Sequence, residues 1–149
     1  MGTNTMEEHY VTEFLLDKER IVALLLKFPL HSALTLASQA LVPSTFYLAG
    51  NVFPSNLMAA YQRFDAAVRK ALWTCLELDD VAVCPHATTV AETIISLPGQ
   101  GGLGVQRLEE IALMGPIAKI LSIAREGHPA LDFFLQQFGP RIEIFVERL

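Results

Sequence analysis

The chain has 149 residues, 52% hydrophobic and 18% charged, with a net charge of −5 at neutral pH. That length suits one domain with one proper core, and that apolar share excludes an intrinsically disordered chain. The acidic balance argues against a free-standing electrostatic nucleic-acid binder, whose footprint is basic, while leaving room for one basic face.

No apolar run nears the ~20 residues needed to span a bilayer. The densest run, Ile21 to Leu26, is closed by Lys27. Met1 to Glu8 is polar and acidic, unlike a signal peptide, and Met6 stands at the sixth position, where a myristoylation site after Gly2 wants Ser/Thr. Two cysteines, Cys75 and Cys84, make no disulfide framework. The expected setting is therefore intracellular, in cytoplasm or nucleus, with no membrane partner.

In chain order, Met6 to Phe28 has helical spacing. Tyr10, Phe14, Ile21, Leu25 and Phe28 form one stripe; Val11, Leu15, Val22 and Leu26 form the adjoining one. Asp17 to Arg20 interrupt both, which allows a break or an exposed turn. Pro29 suits the start of a second helix, Leu30 to Leu41, apolar nearly all round and so expected near the centre of the core. Pro43 is expected to end it, and Ser44-Thr45 to cap a short third helix closed by Gly50, Asn51 and Pro54.

Ser55 or Asn56 is expected to cap the longest clean helix, reaching about Leu76. Its core stripe is Leu57, Tyr61, Phe64, Val68, Leu72 and Cys75, with Arg63, Asp65, Arg69 and Lys70 off that stripe. Thr89 with Glu92 reads as a capping box opening a short helix to Ile95. Pro98 and the glycines at 99, 101, 102 and 104 then break the pattern. The next helix runs from about Gln106 to Arg125, with Glu109 and Glu110 early and Arg125 late, as the macrodipole favours. Gly115-Pro116 should kink it. A seventh segment spans Ala130 to Phe138, stopped by Gly139-Pro140, and the tail from Arg141 reads as helix.

Gly99, Gly101 and Gly104 formally satisfy G-x-G-x-x-G, but no second strand ending in an acid follows, so a structural turn is the better reading. Cys75, Cys84 and His86, with His31 or His128, match no zinc spacing. Asp79-Asp80 ends a helix rather than sitting in a strand-turn-strand metal site. No nucleophile motif is present. These readings leave no catalytic residue, no metal and no cofactor. Arg63, Arg69 and Lys70 are spaced to share a solvent side of the long helix, and Lys119 with Arg125 forms a second basic group.

Three landmarks stand in order: Leu41-Val42-Pro43-Ser44-Thr45-Phe46-Tyr47-Leu48, then Phe64-Asp65-Ala66-Ala67-Val68, then Ile95-Ser96-Leu97-Pro98 followed by Gly101-Gly102-Leu103-Gly104-Val105. Over roughly Leu24 to Ala124 this resembles the thumb and connector region downstream of the palm in non-LTR retroelement reverse transcriptases. The palm, with its Tyr-x-Asp-Asp, is absent from this sequence. The resemblance implies a fragment or domesticated remnant that does not polymerise, packs on a palm, and contacts duplex nucleic acid through Arg63, Arg69, Lys70 and Lys119.

The expected fold is all-α: one domain of six to eight helices, with the structural turn Pro98, Gly101, Gly102, Leu103 and Gly104 before the penultimate long helix and Leu103 as its apolar anchor. The expected function is a non-catalytic, thumb-like duplex binder; the alternative is a helical interaction or scaffold module that self-associates.

Overall fold

A computed structural model describes residues 2–51, 56–78, 85–96, 103–127 and, beyond these, 129, 132–133, 135–136 and 139–140. The fold is all-α, with no strand among the described residues. Six α-helices stand there: α1 (Gly2–Leu24), α2 (Leu30–Leu36), α3 (Pro43–Asn51), α4 (Met58–Cys75), α5 (Pro85–Ser96) and α6 (Leu108–Glu126). Pro98, Gly101, Gly102, Asp79-Asp80, Cys84, His128 and the tail from Arg141 lie outside the described residues, as does most of the expected seventh segment. Gly139 and Pro140 have helical backbone.

α1 is the longest helix and runs without a break through Asp17 to Arg20, where the sequence allowed one. Those four residues tolerate helix, and Arg20 pairs with Asp17 at 3.0 Å across one turn. Val11, Leu15 and Val22 enter the core and the helix packs on α4, while Tyr10 and Ile21 of the other expected stripe face solvent.

The segment from Leu30 to Asn51 is nearly continuous helix, so Pro43 opens α3 instead of ending its predecessor. Ser44 and Thr45 do not cap; their hydroxyls donate back to the Leu41 and Val42 carbonyls. Between α2 and α3, Ala37–Leu41 forms a wide π turn, with the Val42 N–H donating to the Ala37 carbonyl at 3.1 Å. The spacing of buried residues accounts for it. Ala33, Ala37, Leu41, Thr45 and Ala49 are all buried and recur at strict fours. At 3.6 residues per turn such a stripe drifts around the helix, and one wider turn recovers the lost register. This stripe and Val42 are central, while Leu30 and Leu36 are exposed, contrary to an all-round buried helix.

α3 packs on α6, and small residues set the crossing. A Cβ built on Gly115 would stand 2.6 Å from the Gly50 Cα. Pro116 is buried and α6 continues through it. This is where the fold uses glycine for close helix approach. In the glycine-rich turn, Gly104 adopts a left-handed φ of 67°, and Leu103 packs half-buried against the core, as an anchor should.

The α4 stripe Leu57, Tyr61, Phe64, Val68 and Leu72 is fully buried. Leu57 sits at the N-cap with no side-chain cap bond, and Asn56 donates to Glu8 of α1 instead. At the other end Glu77 takes φ 57°, its N–H donates to the Thr74 carbonyl, and the Leu78 N–H to the Trp73 carbonyl. This closure favours glycine, because a Cβ is strained in the left-handed region. Glu77→Gly is therefore expected to stabilise the fold by about 1 kcal/mol, measured by urea unfolding.

Candidate functional site

Three charged or polar residues leave α4 at helical spacing of four: Asp65, Arg69 and Trp73. All three are buried. The Leu108 N–H donates to Asp65 Oδ1 at 2.8 Å and the Glu109 N–H to Oδ2 at 2.9 Å. Asp65 thus caps α6 from another helix, satisfying two of the N–H groups that a helix start leaves open. Burial pushes the Asp65 carboxyl above the ordinary carboxylate range, opposed by these two N–H groups and by Arg69.

Arg69 Nη2 donates to the Val105 carbonyl at 2.9 Å and to Ser96 Oγ at 3.2 Å, while its Nε lies 3.6 Å from Glu92. Burial disfavours its charge and Glu92 opposes that effect. Glu92 also accepts from Trp73 Nε1 at 3.3 Å and from Arg107 at 3.1 Å. The segment 103–105 runs along the end of α5: the Leu103 N–H donates to the Ile94 carbonyl at 2.8 Å and the Val105 N–H to the Ile95 carbonyl at 2.9 Å. These are carbonyls that a helix end leaves open.

The expectation of a shared solvent side for Arg63, Arg69 and Lys70 fails at Arg69, which is only 8% exposed and spent on the fold. Arg63 is largely exposed but pairs with Glu19 of α1 at 3.1 Å. Lys70 and Lys119 are exposed, on α4 and α6 respectively. Glu92 does not form a capping box with Thr89, since α5 already begins at Pro85; it is the carboxylate at the centre of the cluster instead. Asp65 was expected only as a residue off the core stripe and in the second landmark, and Trp73 and Arg107 carried no expectation; Asp65 is buried. The signal was present in Asp65-x-x-x-Arg69-x-x-x-Trp73, which tracks the edge of the apolar stripe Phe64, Val68 and Leu72.

The cluster sets two carboxylates, Asp65 and Glu92, against two guanidiniums, Arg69 and Arg107, and joins α4 to α5 and to the start of α6. Among the described residues no group of three or more His, Cys, Asp or Glu could hold a metal ion, and no helix is long and apolar enough to cross a membrane. Cys75 is half-buried and its thiol is pushed up by burial.

The Tyr61 side chain is 0% exposed, and its hydroxyl makes no hydrogen bond among the described residues. Burial raises its pKa from 10.0 to about 12. The neutral phenol is favoured in the fold, so its contribution is complete below pH 10 and is lost as pH rises to about 12, a difference of roughly 3 kcal/mol. Tyr61→Phe is expected to gain about 1 kcal/mol at neutral pH, by removing a buried hydroxyl without a protein partner, and to flatten that alkaline decline. Thermal melts from pH 7 to pH 12 measure both effects.

Comparison with protein-family models, curated proteins and solved structures finds no match to this chain.

Proposed function

We propose that the chain is a thumb-like helical domain of the kind that follows the palm in non-LTR-type reverse transcriptases, and that it acts by binding duplex nucleic acid rather than by catalysis. One observation supports the reading. The second and third landmarks, far apart in sequence, are held together through residues in or next to them: Asp65 of the second accepts from the start of α6, just past the third, and Arg69, the residue after the second, donates to Ser96 and Val105 of the third. A segment built on those landmarks needs them as one body. Arg69 then supports the domain from within, and the duplex contacts fall to Lys70, Lys119 and Arg63.

Fluorescence anisotropy with an RNA–DNA duplex over a salt series tests this. Binding that weakens steeply with salt is expected, with the slope reduced by about 2 in Lys70→Ala/Lys119→Ala. Binding absent at low salt, or a slope unchanged by that pair, defeats the reading.

A second reading, a helical interaction module, is favoured by the exposed apolar side chains of α1, among them Met6 and Tyr10.

A further inference from the structure

α1 is apolar on two faces. Val11, Leu15 and Val22 point into the core. On the outward side Met6, Tyr10, Ile21 and Leu24 recur at helical spacing and are 73%, 62%, 45% and 46% exposed. A surface helix with one buried face ordinarily turns polar residues outward. Here the outward stripe is apolar at both ends and polar only in the middle, at Glu13 and Asp17, both exposed.

The charges along α1 are segregated. Glu7, Glu8, Glu13 and Asp17 occupy the first part with no Lys or Arg among them; Lys18, Arg20 and, just past the helix, Lys27 occupy the last. The acid of the latter part, Glu19, is turned inward and pairs with Arg63. A parallel partner helix would set acid against acid and base against base. An antiparallel copy, crossing at Asp17, sets Glu13 beside Arg20 of its mate and Tyr10 against Leu24. At the crossing point the carboxylates of Asp17 would repel, but each is already held by Arg20 at 3.0 Å.

We infer that the outward stripe of α1 is a self-association surface on which a second copy of this chain lies antiparallel, centred at Asp17. Apolar ends and complementary charge halves together choose the occupant. The inference is independent of duplex binding, and either stands if the other fails.

Analytical ultracentrifugation of the full chain is the first test. A reversible dimer is expected, weakened at least tenfold, about 1.4 kcal/mol, by Tyr10→Glu and by Leu24→Glu. Both positions are exposed, so circular dichroism should show the helix content retained. Glu13→Arg should weaken the dimer, because it sets a second cation beside Arg20 of the mate. Orientation is read by oxidative cross-linking, with the wild-type chain as control for Cys75 and Cys84. Asp17→Cys should link two chains. Met6→Cys should not, because antiparallel helices hold the two Met6 positions roughly 33 Å apart. A wild-type chain that stays monomeric, a dimer indifferent to Tyr10→Glu, or efficient linkage through Met6→Cys overturns the inference. So does a monomer that binds a different protein through this stripe.

Discussion

Arg69→Ala is expected to cost about 3–5 kcal/mol of stability, a large part of what a domain of this size possesses. The loss has three physical sources. The Val105 carbonyl and Ser96 hydroxyl lose their donor, Glu92 keeps only its bonds to Trp73 and Arg107, and Asp65 loses a nearby positive charge. Asp65→Ala should approach the same magnitude, because it uncaps α6 and leaves two N–H groups without their acceptor. The pair should be strongly non-additive, since both act through one network. Chemical denaturation of the two singles and the double measures this. If Arg69 were instead a solvent-side ligand, its truncation would stay within about 0.5 kcal/mol, and that outcome would rule out its bonds to Val105, Ser96 and Glu92.

The second large effect is an asymmetry between two glycines that face each other. Gly115→Ala places a methyl 2.6 Å from backbone, so α3 and α6 must separate. A cost of about 1–3 kcal/mol is expected, and more for Gly115→Val. Gly50→Ala meets nothing within 4 Å, because its own Cβ would point into open space. It lies within α3, where alanine is favoured over glycine by about 0.8–1.0 kcal/mol, so it should be neutral or stabilising. On a chain of this length the two variants should differ by several degrees in Tm. Equal melting temperatures would mean that the helices do not cross as closely as described.

How far the sequence was legible depends on whether a residue's partner was local. The α4 stripe was legible because Leu57, Tyr61, Phe64, Val68 and Leu72 alternate threes and fours against a polar remainder. The ends of α6 were legible within two residues, because Glu109, Glu110 and Arg125 respond to the helix's own dipole. α1 was half legible. Two apolar stripes were visible, but which one enters the core is decided by α4, and periodicity carries no information about a neighbour. Arg69 was misread for a related reason. A guanidinium beside a core stripe reads as solvated unless the carbonyl and carboxylate that receive it are known, and these lie 23 to 36 positions away, at Glu92 and Val105. The wide turn at Ala37–Leu41 had a readable cause in the strict fours of Ala33, Ala37 and Leu41. A pattern of small residues on an otherwise greasy helix hid it.

α5 meets the long helix α4 through polar side chains as well as through Ile95: Arg69 and Trp73 both reach Glu92. The segment 103–105 is laced to the end of α5. Such a joint can open without dismantling the α1–α4 and α3–α6 pairings, so the protein should come apart in tiers. Amides of α5 should exchange with solvent at a lower free energy than those of α4, as a sub-global event rather than with the whole. Weakening the joint would then turn a single cooperative transition into two.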